Sequence, residues 1–297
     1  MVFRKIKLLY DLTRPLGAIP FLFCFLFGIL DSNATIYLCL ASSIIFVFLI
    51  FGPIHIINHY SDIEVDKKAV HKKDLDLSKQ PFLTRKITKS GGILTSIVLW
   101  SLGLVGAYII NFYFFILSIL GSILGIFYSL PPRAKGMPLF DVLFNSTGGS
   151  ISYLAGWSLG DNPSNVPIFS MAWLFFLMAS TYLFTVSVDY EQDKKTRTKT
   201  TVVFFGLNKT IKLSVSFFLI SLIFFVLMFF NYELSYIYYL LIPFWVYSLY
   251  KSLPLLFKRI DKDFGIKIAE KGMKYGVIFC IIWLFLLYFT ILVRMIW

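Results

Sequence analysis

The sequence predicts an all-α, polytopic membrane protein with nine transmembrane helices, arranged as two four-helix halves plus a ninth helix. Of its 297 residues, 58% are apolar and only 15% are charged, whereas soluble domains average about 45–50% apolar and about 25% charged residues. The mean hydropathy is +0.78. The apolar residues are also gathered into long stretches, and a membrane-spanning helix needs about 20 of them in succession.

The nine apolar stretches are separated by short polar segments. The third and fourth stretches are divided only by Asn111 and its neighbours, which predicts a tight helical hairpin. None of the stretches alternates between apolar and polar residues as the strands of a membrane β-barrel do. The predicted spans are Pro15–Leu30, Ile36–Ile57, Ile93–Ile110, Phe112–Leu130, Leu139–Leu159, Val166–Val188, Leu213–Phe230, Ile237–Leu256 and Val277–Trp297.

The basic residues orient these nine spans. With nine spans, 27 of the 28 Lys and Arg residues fall in the loops of one side, and Arg294 is the exception. Because cytoplasmic loops carry the excess of Lys and Arg, that side is predicted to be cytoplasmic. The N-terminus is then inside and the C-terminus outside. The net charge of +12 therefore reflects topology and argues against a nucleic-acid partner.

The carboxylates that suggest chemistry are clustered after the second and sixth spans. Asn58, Asp62 and Asp66 are spaced four residues apart, and so are Asp189 and Asp193. Residues with this spacing share one face of a helix. Carboxylates at a helix C-terminus meet the negative end of the helix dipole, and acids near the membrane usually mark functional sites. Two such clusters at equivalent places in two halves predict a shared site for divalent cations.

The ligand types favour Mg²⁺, which binds oxygen ligands and is typically held by one or two carboxylates together with substrate phosphates. Basic residues in the surrounding loops are candidates for binding the remaining phosphate oxygens. They are Arg14, Lys79, Arg133, Lys135 and Lys199.

Zinc is the alternative metal. His55, His59, Asp62 and Asp66 recur at helical spacing and would share one face. Zn²⁺ binds both imidazole and carboxylate groups. A histidine in this setting more often lines a polar pocket.

The ordered motifs resemble those of a known family. The first acidic cluster reads N-x-x-x-D-x-x-x-D, and the second reads D-x-x-x-D followed by Lys199-Thr200. Two further stretches match, Thr13-Arg14-Pro15 before the first span and the segment 128–135, Tyr-Ser-Leu-Pro-Pro-Arg-Ala-Lys, after the fourth. The chain thereby resembles the UbiA superfamily of intramembrane prenyltransferases. It departs from that pattern at His59, Gln80 and Arg197, where family members often have Asp, Arg and Gly.

The resemblance implies a single transmembrane domain over residues 1–297, with its active site on the cytoplasmic side. It implies transfer of a prenyl group from a prenyl diphosphate to a lipophilic acceptor (aromatic, quinone precursor or polyene) within the membrane. Residues 131–141 look most like members that prenylate polyene acceptors. Two Mg²⁺ ions would be held by Asn58, Asp62, Asp66, Asp189 and Asp193. The diphosphate would be bound by Arg14, Lys79, Arg133, Lys135, Lys199 and Tyr128.

Three other functions stay open from the sequence. A terpene cyclase of the same superfamily would use the same metal site without a separate acceptor. A tail-transferase acting on haem or chlorophyll precursors would share most of the same frame. A transporter would also combine repeats, acids and basic loops, although here the acids lie at one surface rather than at mid-membrane.

Overall fold

A computed structural model describes residues 2–69, 80–84, 86–160 and 166–294, and within these ranges the regular structure is entirely helical. The α-helices are α1 (Val2–Thr13), α2 (Ile19–Ser32), α3 (Ile36–Ile44), α4 (Gly52–Ser61), α5 (Ile63–Ala69), α6 (Lys89–Ile110), α7 (Phe112–Ser129), α8 (Phe140–Trp157), α9 (Ile168–Val188), α10 (Tyr190–Thr196), α11 (Thr201–Phe205), α12 (Leu207–Asn231), α13 (Ile237–Ser252) and α14 (Lys262–Arg294). A π-helical segment, Ile45–Phe51, joins α3 to α4.

Seven helical segments of the described chain are long and apolar enough to cross a membrane, so the predicted count of nine is not confirmed. The two remaining predicted spans are helical but fall short of that measure. Helix α13 has only 16 residues. Helix α8 contains a run of small and polar residues, 145–150, much of which is buried against other helices. The low hydropathy of α8 follows from its surroundings, because a helix that packs against other helices does not need an apolar surface for lipid. The seven segments are Ile6–Ser32, Ile36–Ser61, Lys89–Ile110, Phe112–Ser129, Ile168–Val188, Leu207–Asn231 and Lys262–Arg294.

Side-chain caps define several helix starts, including the predicted hairpin. Asn111 separates α6 from α7, and its Oδ1 accepts hydrogen bonds from the backbone N–H groups of Tyr113 (2.8 Å) and Phe114 (3.1 Å). Thr88 caps α6 in the same way through Gly91. Such caps satisfy N–H groups that have no partner within the helix. The hairpin between the third and fourth predicted spans is therefore confirmed.

The two predicted halves are joined by a close contact between α2 and α8. Gly28 on α2 lies against the backbone of Tyr153 and Trp157, and Gly156 on α8 lies against the backbone of Phe25. A methyl group at either glycine would overlap the partner backbone. Small residues at such crossings let helix backbones approach closely, which drives association where the hydrophobic effect is absent.

A buried carboxylate fastens the same two helices at the end of the bundle away from the acidic motifs. Asp31, in the last turn of α2, accepts hydrogen bonds from the phenol groups of Tyr153 (2.7 Å) and Tyr238 (2.8 Å). These tyrosines lie on α8 and α13. Arg294 binds the nearby Leu30 carbonyl oxygen. Four helices are thereby joined at one buried point.

Replacing Gly156 by Ala is expected to lower the midpoint of thermal unfolding in detergent. The new methyl group must displace the α2 backbone, and overpacking of about 1–3 kcal/mol corresponds to about 3–10 °C in a chain of this size. Gly276→Ala is the matched control, because nothing lies within 4 Å of a Cβ at this position on α14. Equal midpoints for the two variants would contradict the proposed role of the α2–α8 contact.

Candidate functional site

Both acidic motifs lie where a long helix is interrupted. Helix α4 ends at Ser61 and α5 begins after Asp62, while α9 ends before Asp189 and α10 begins after it. The first Asp of each motif is thus the residue between two helices. The continuous helical face expected from the spacing is wrong in this detail. Helical backbone hydrogen bonds nevertheless continue at each break. They run from the N–H of Asp66 to the carbonyl oxygen of Asp62 (2.8 Å) and from the N–H of Asp193 to the carbonyl oxygen of Asp189 (2.9 Å). The aspartates of each motif therefore stay one helical turn apart.

Three oxygens of the first motif surround one ammonium group. The Nζ of Lys135 donates to Asn58 Oδ1 (2.5 Å), Ser61 Oγ (2.9 Å) and Asp62 Oδ1 (2.6 Å). Arg133 adds a bond of 3.0 Å from Nη2 to the same Asp62 oxygen. Burial lowers the pKa of Lys135, while Asp62 opposes that shift. The oxygens of Asn58 and Asp62 are therefore already arranged around a cation.

The last carboxylate of the first motif is held by a residue that the sequence did not single out as a ligand. Gln80 is buried, and its Nε2 donates to Asp66 Oδ2 (2.7 Å) and to the His59 carbonyl oxygen (3.1 Å). Burial raises the pKa of Asp66, and the nearby Asp62 raises it further, while the bond from Gln80 lowers it. The amide thus fixes this carboxylate without neutralising it.

The second motif is brought close to the first. Helix α10 packs against α5. Burial, together with the charges of Asp189, Asp141 and Asp62, raises the pKa of Asp193 to about 6, against a hydrogen bond from Thr200 that lowers it. That bond runs from Thr200 Oγ1 to Asp193 Oδ2 at 3.0 Å. Carboxylates that repel one another in this way create a site that attracts cations.

A buried hydrogen-bonded pair fixes the second motif against the loop that carries Arg133. Asp141, at the start of α8, accepts bonds from the Thr201 backbone N–H (2.9 Å) and from the Thr201 hydroxyl. The same hydroxyl accepts a bond from the Leu139 N–H (2.7 Å). Thr200, which binds Asp193, is the adjacent residue. Asp141 is fully buried and therefore acts as a structural link between the two halves of the site.

The predicted diphosphate-binding residues are brought together only in part. Arg133 and Lys135 contact the first motif directly, and Arg14 lies close enough to Asp66 and Asp62 to attract both carboxylates. Lys199 is exposed and makes no ion pair within the part of the chain that the structure describes.

Two predicted diphosphate ligands remain, Tyr128 and Lys79. The hydroxyl of Tyr128 lies 3.1 Å from that of Tyr182. Lys79 lies outside the described residues.

Three arginines near this end of the bundle hold an unusual backbone conformation. Arg14 (φ 43°), Arg133 (φ 59°) and Arg197 (φ 58°) all lie in the left-handed region. For residues other than glycine this costs about 1–3 kcal/mol and is concentrated at functional sites. Two of the three are predicted phosphate ligands.

The donor set fits Mg²⁺ better than Zn²⁺. Among the described residues, no group of three or more His, Cys, Asp or Glu side chains is arranged to hold a metal ion. His55 and His59 bury Nε2 atoms that have no hydrogen-bond partner in the described part of the chain. Mg²⁺ needs only one or two protein carboxylates when waters and phosphates complete its shell. The converging oxygens of Asn58 and Asp62 meet that requirement.

Several site residues could not be identified from the sequence. Three of them take part through contacts that only the folded chain makes: Gln80 binds Asp66, Thr201 binds Asp141, and Ser61 binds Lys135. No spacing pattern in the sequence identifies these residues. In the sequence, Asp141 is recognisable only as an acidic residue at the start of a predicted span. Its partner Thr201 follows the second motif by eight residues, but only the folded chain shows the pair.

Known proteins resemble this chain in both sequence and fold. The chain matches the model of the UbiA prenyltransferase family over residues 18–263. It resembles a UbiA homolog from Archaeoglobus fulgidus solved with GPP and Mg²⁺, with a TM-score of 0.72 and 26% identity over 93% of this chain and 99% of that one. The same homolog bound to DMAPP and Mg²⁺ gives 0.71 and 27% over 93% and 98%.

A digeranylgeranylglyceryl phosphate synthase gives a TM-score of 0.71 at 20% identity, over 96% of this chain and 97% of that one, which supports the fold alone. A comparison with curated proteins found no match.

Thr201→Val is expected to lower the midpoint of thermal unfolding by about 4–10 °C. Valine keeps the shape but removes the hydroxyl from a buried carboxylate, and losing a hydrogen bond to a charged group costs about 1.5–3 kcal/mol. Thr185→Val is the control, because it removes an exposed hydroxyl that bonds only to its own helix. A change as small as that of the control would show that the Asp141–Thr201 pair does not hold the second motif against the loop that carries Arg133.

Proposed function

Because the chain belongs to the UbiA prenyltransferase family, we propose that it transfers a prenyl group from a prenyl diphosphate to a lipophilic acceptor within the membrane. The acceptor is an aromatic compound, a quinone precursor or a polyene, and diphosphate is released. The observation that carries the proposal is the convergence of Asn58 and Asp62 oxygens on one cationic position. The second acidic motif and Arg133 lie beside it.

The donor and the metal follow from the chemistry of these residues. The A. fulgidus homolog binds GPP or DMAPP together with Mg²⁺, and this chain offers carboxylate and amide oxygens, which are ligands that suit Mg²⁺. Asn58, Asp62, Asp66, Asp189 and Asp193 would hold two Mg²⁺ ions. When bound, Mg²⁺ supplies Lewis acidity that stabilises the negative charge developing on the leaving diphosphate.

The basic side chains position the donor. Arg133 and Lys135 make charge-assisted hydrogen bonds to diphosphate oxygens, and Arg14 adds positive charge from the turn before α2. Three further residues remain predicted diphosphate ligands: Lys79, Lys199 and Tyr128. With the diphosphate held at this end, the allylic carbon points into the bundle.

Apolar and aromatic side chains receive the prenyl chain. Towards the membrane from Asn58, the π-helical segment borders a small cavity of about 30 Å³ between α7 and α8, lined mostly by apolar residues that include Phe46 and Phe51. This volume is about that of one water molecule, so a prenyl chain would enter only as these side chains move apart. Aromatic faces stabilise positive charge on the allylic carbon. The surrounding rings also exclude water, which prevents hydrolysis of the donor.

The excess of basic residues in the loops around the site supports a cytoplasmic active site, with the N-terminus inside and the C-terminus outside. In a chain spanning nine times, Lys267 and Glu233 lie on opposite sides of the membrane.

Asp62→Asn and Asp193→Asn are each expected to reduce Mg²⁺-dependent diphosphate release at least about 100-fold, because metal stabilisation of the leaving group is worth several kcal/mol. The measurement uses the purified full-length protein in detergent, with prenyl diphosphates of C5 to C20 and a membrane lipid extract, in Mg²⁺ or EDTA. Thermal unfolding checks that the variants are folded.

Glu270→Gln is the control, since this exposed acid on α14 makes no hydrogen bond or ion pair with either motif within the described residues. Full activity in either motif variant would refute the metal assignment.

Product mass then separates the remaining functions. A prenylated acceptor supports transfer, and a cyclised hydrocarbon identifies a terpene cyclase. Uptake of substrate into vesicles without diphosphate release identifies a transporter.

Single cysteines at positions 267 and 233, in a background without Cys24, Cys39 and Cys280, are expected to react with a membrane-impermeant thiol reagent from opposite sides. Position 267 should be labelled only in inverted membrane vesicles and position 233 only in intact cells. Labelling of both from the same side would disprove the proposed orientation.

A further inference from the structure

The position that a first-motif metal would occupy is shared with a side chain of the protein. Lys135 Nζ lies within 2.5–2.9 Å of Asn58 Oδ1, Ser61 Oγ and Asp62 Oδ1. Mg²⁺ binds its oxygen ligands at about 2.0–2.1 Å. An ion bound to both Asn58 Oδ1 and Asp62 Oδ1 would therefore overlap this ammonium group or repel it at very short range.

We propose that Lys135 and Mg²⁺ compete for the first motif, and that a prenyl diphosphate relieves the competition by drawing Lys135 onto its own oxygens. Metal binding at the first motif is then coupled to donor binding. This inference rests on the proposed function, because it takes Asn58 and Asp62 as metal ligands. It assigns Lys135 a second role, as an internal cation that prevents tight metal binding without a donor.

Arg133 and Lys135, the two basic residues of the loop after α7, differ in how many oxygens they contact and in how exposed they are. Among the described residues, the Arg133 side chain makes its hydrogen bond to Asp62, and 38% of that side chain is exposed. Lys135 contacts three oxygens and only 12% of its side chain is exposed. Lysine is also a compact charge on a flexible stem, so Nζ can leave these oxygens without moving the backbone.

The coupling has a simple thermodynamic form. Without a donor, Mg²⁺ must take the Asn58 and Asp62 oxygens from Lys135, and breaking these contacts weakens metal binding. With a donor, the diphosphate supplies an anion for Lys135 through charge-assisted hydrogen bonds. Linkage is reciprocal, so Mg²⁺ strengthens donor binding by the same factor as the donor strengthens Mg²⁺ binding. A site of this kind binds metal and diphosphate more tightly together than it binds either of them alone.

Lys135→Met is expected to tighten donor-free metal binding on the order of tenfold, because it removes a unit charge only a few ångströms from the ion. We would titrate Mn²⁺, as a spectroscopic substitute for Mg²⁺, into EDTA-treated full-length protein in detergent. Free Mn²⁺ is measured by electron paramagnetic resonance. A role of Lys135 in diphosphate binding alone predicts no change, so this readout separates the two roles.

Lys67→Met is the matched control. It removes the same charge close to the first motif, but Lys67 is exposed and, within the described residues, forms an ion pair with Glu64 at 2.7 Å rather than with Asn58 or Asp62. Its Mn²⁺ affinity should equal that of the unmodified protein. Asp62→Asn in the Lys135→Met background should abolish the gain, which would place the tightened site at the first motif.

A second measurement needs no variant at Lys135. Adding Mg²⁺ alone, at high concentration, should increase labelling of Lys135 by an amine-reactive reagent relative to Lys67, as measured by peptide mass spectrometry. Unchanged labelling, together with unchanged Mn²⁺ affinity in Lys135→Met, would overturn the competition.

The proposed function would survive that outcome if Mn²⁺ binding still required Asp62. If neither the unmodified protein nor Lys135→Met binds Mn²⁺ in a manner that depends on Asp62, both proposals fail.

Discussion

Gathering carboxylates at one end of a helical bundle costs free energy unless cations lie beside them. The site is organised around this constraint. Lys135 and Arg133 supply cations to Asp62, whereas Asp193 is bound by the neutral hydroxyl of Thr200 and its pKa is raised to about 6. Asp62 is therefore paired with two cations, whereas the hydrogen bond to the Asp193 carboxylate comes from a neutral group. A divalent ion bound between the two motifs would remove the remaining repulsion.

The same constraint explains why the loop after α7 belongs to the site. Arg133 lies in a left-handed turn, which directs both basic side chains back towards the first motif. The segment after the second motif is tied to the same region, because Thr201 binds both Asp141 and Leu139. Two distant parts of the chain thus meet through buried polar bonds rather than through apolar packing.

The membrane-embedded part follows different rules. Gly28 and Gly156 let α2 and α8 touch through their backbones, and Asp31 joins these helices to α13 at the opposite end. Because α8 packs mainly against other helices, its sequence is poorer in strongly apolar residues than that of a lipid-facing helix. Hydropathy alone therefore identifies seven spanning segments and leaves α8 and α13 aside.

The sequence by itself determined the all-helical membrane class, the hairpin at Asn111 and the family, because apolar length, capping residues and the ordered motifs are local properties. It also located Asp62 and Asp193 as residues of interest, since helical spacing is visible in one dimension. Only the tertiary structure decided that each motif straddles a helix break, that Gln80 holds Asp66, and that Lys135 lies among the first-motif oxygens. These contacts join residues 14–77 positions apart, and their distances depend on how the helices pack rather than on any local pattern.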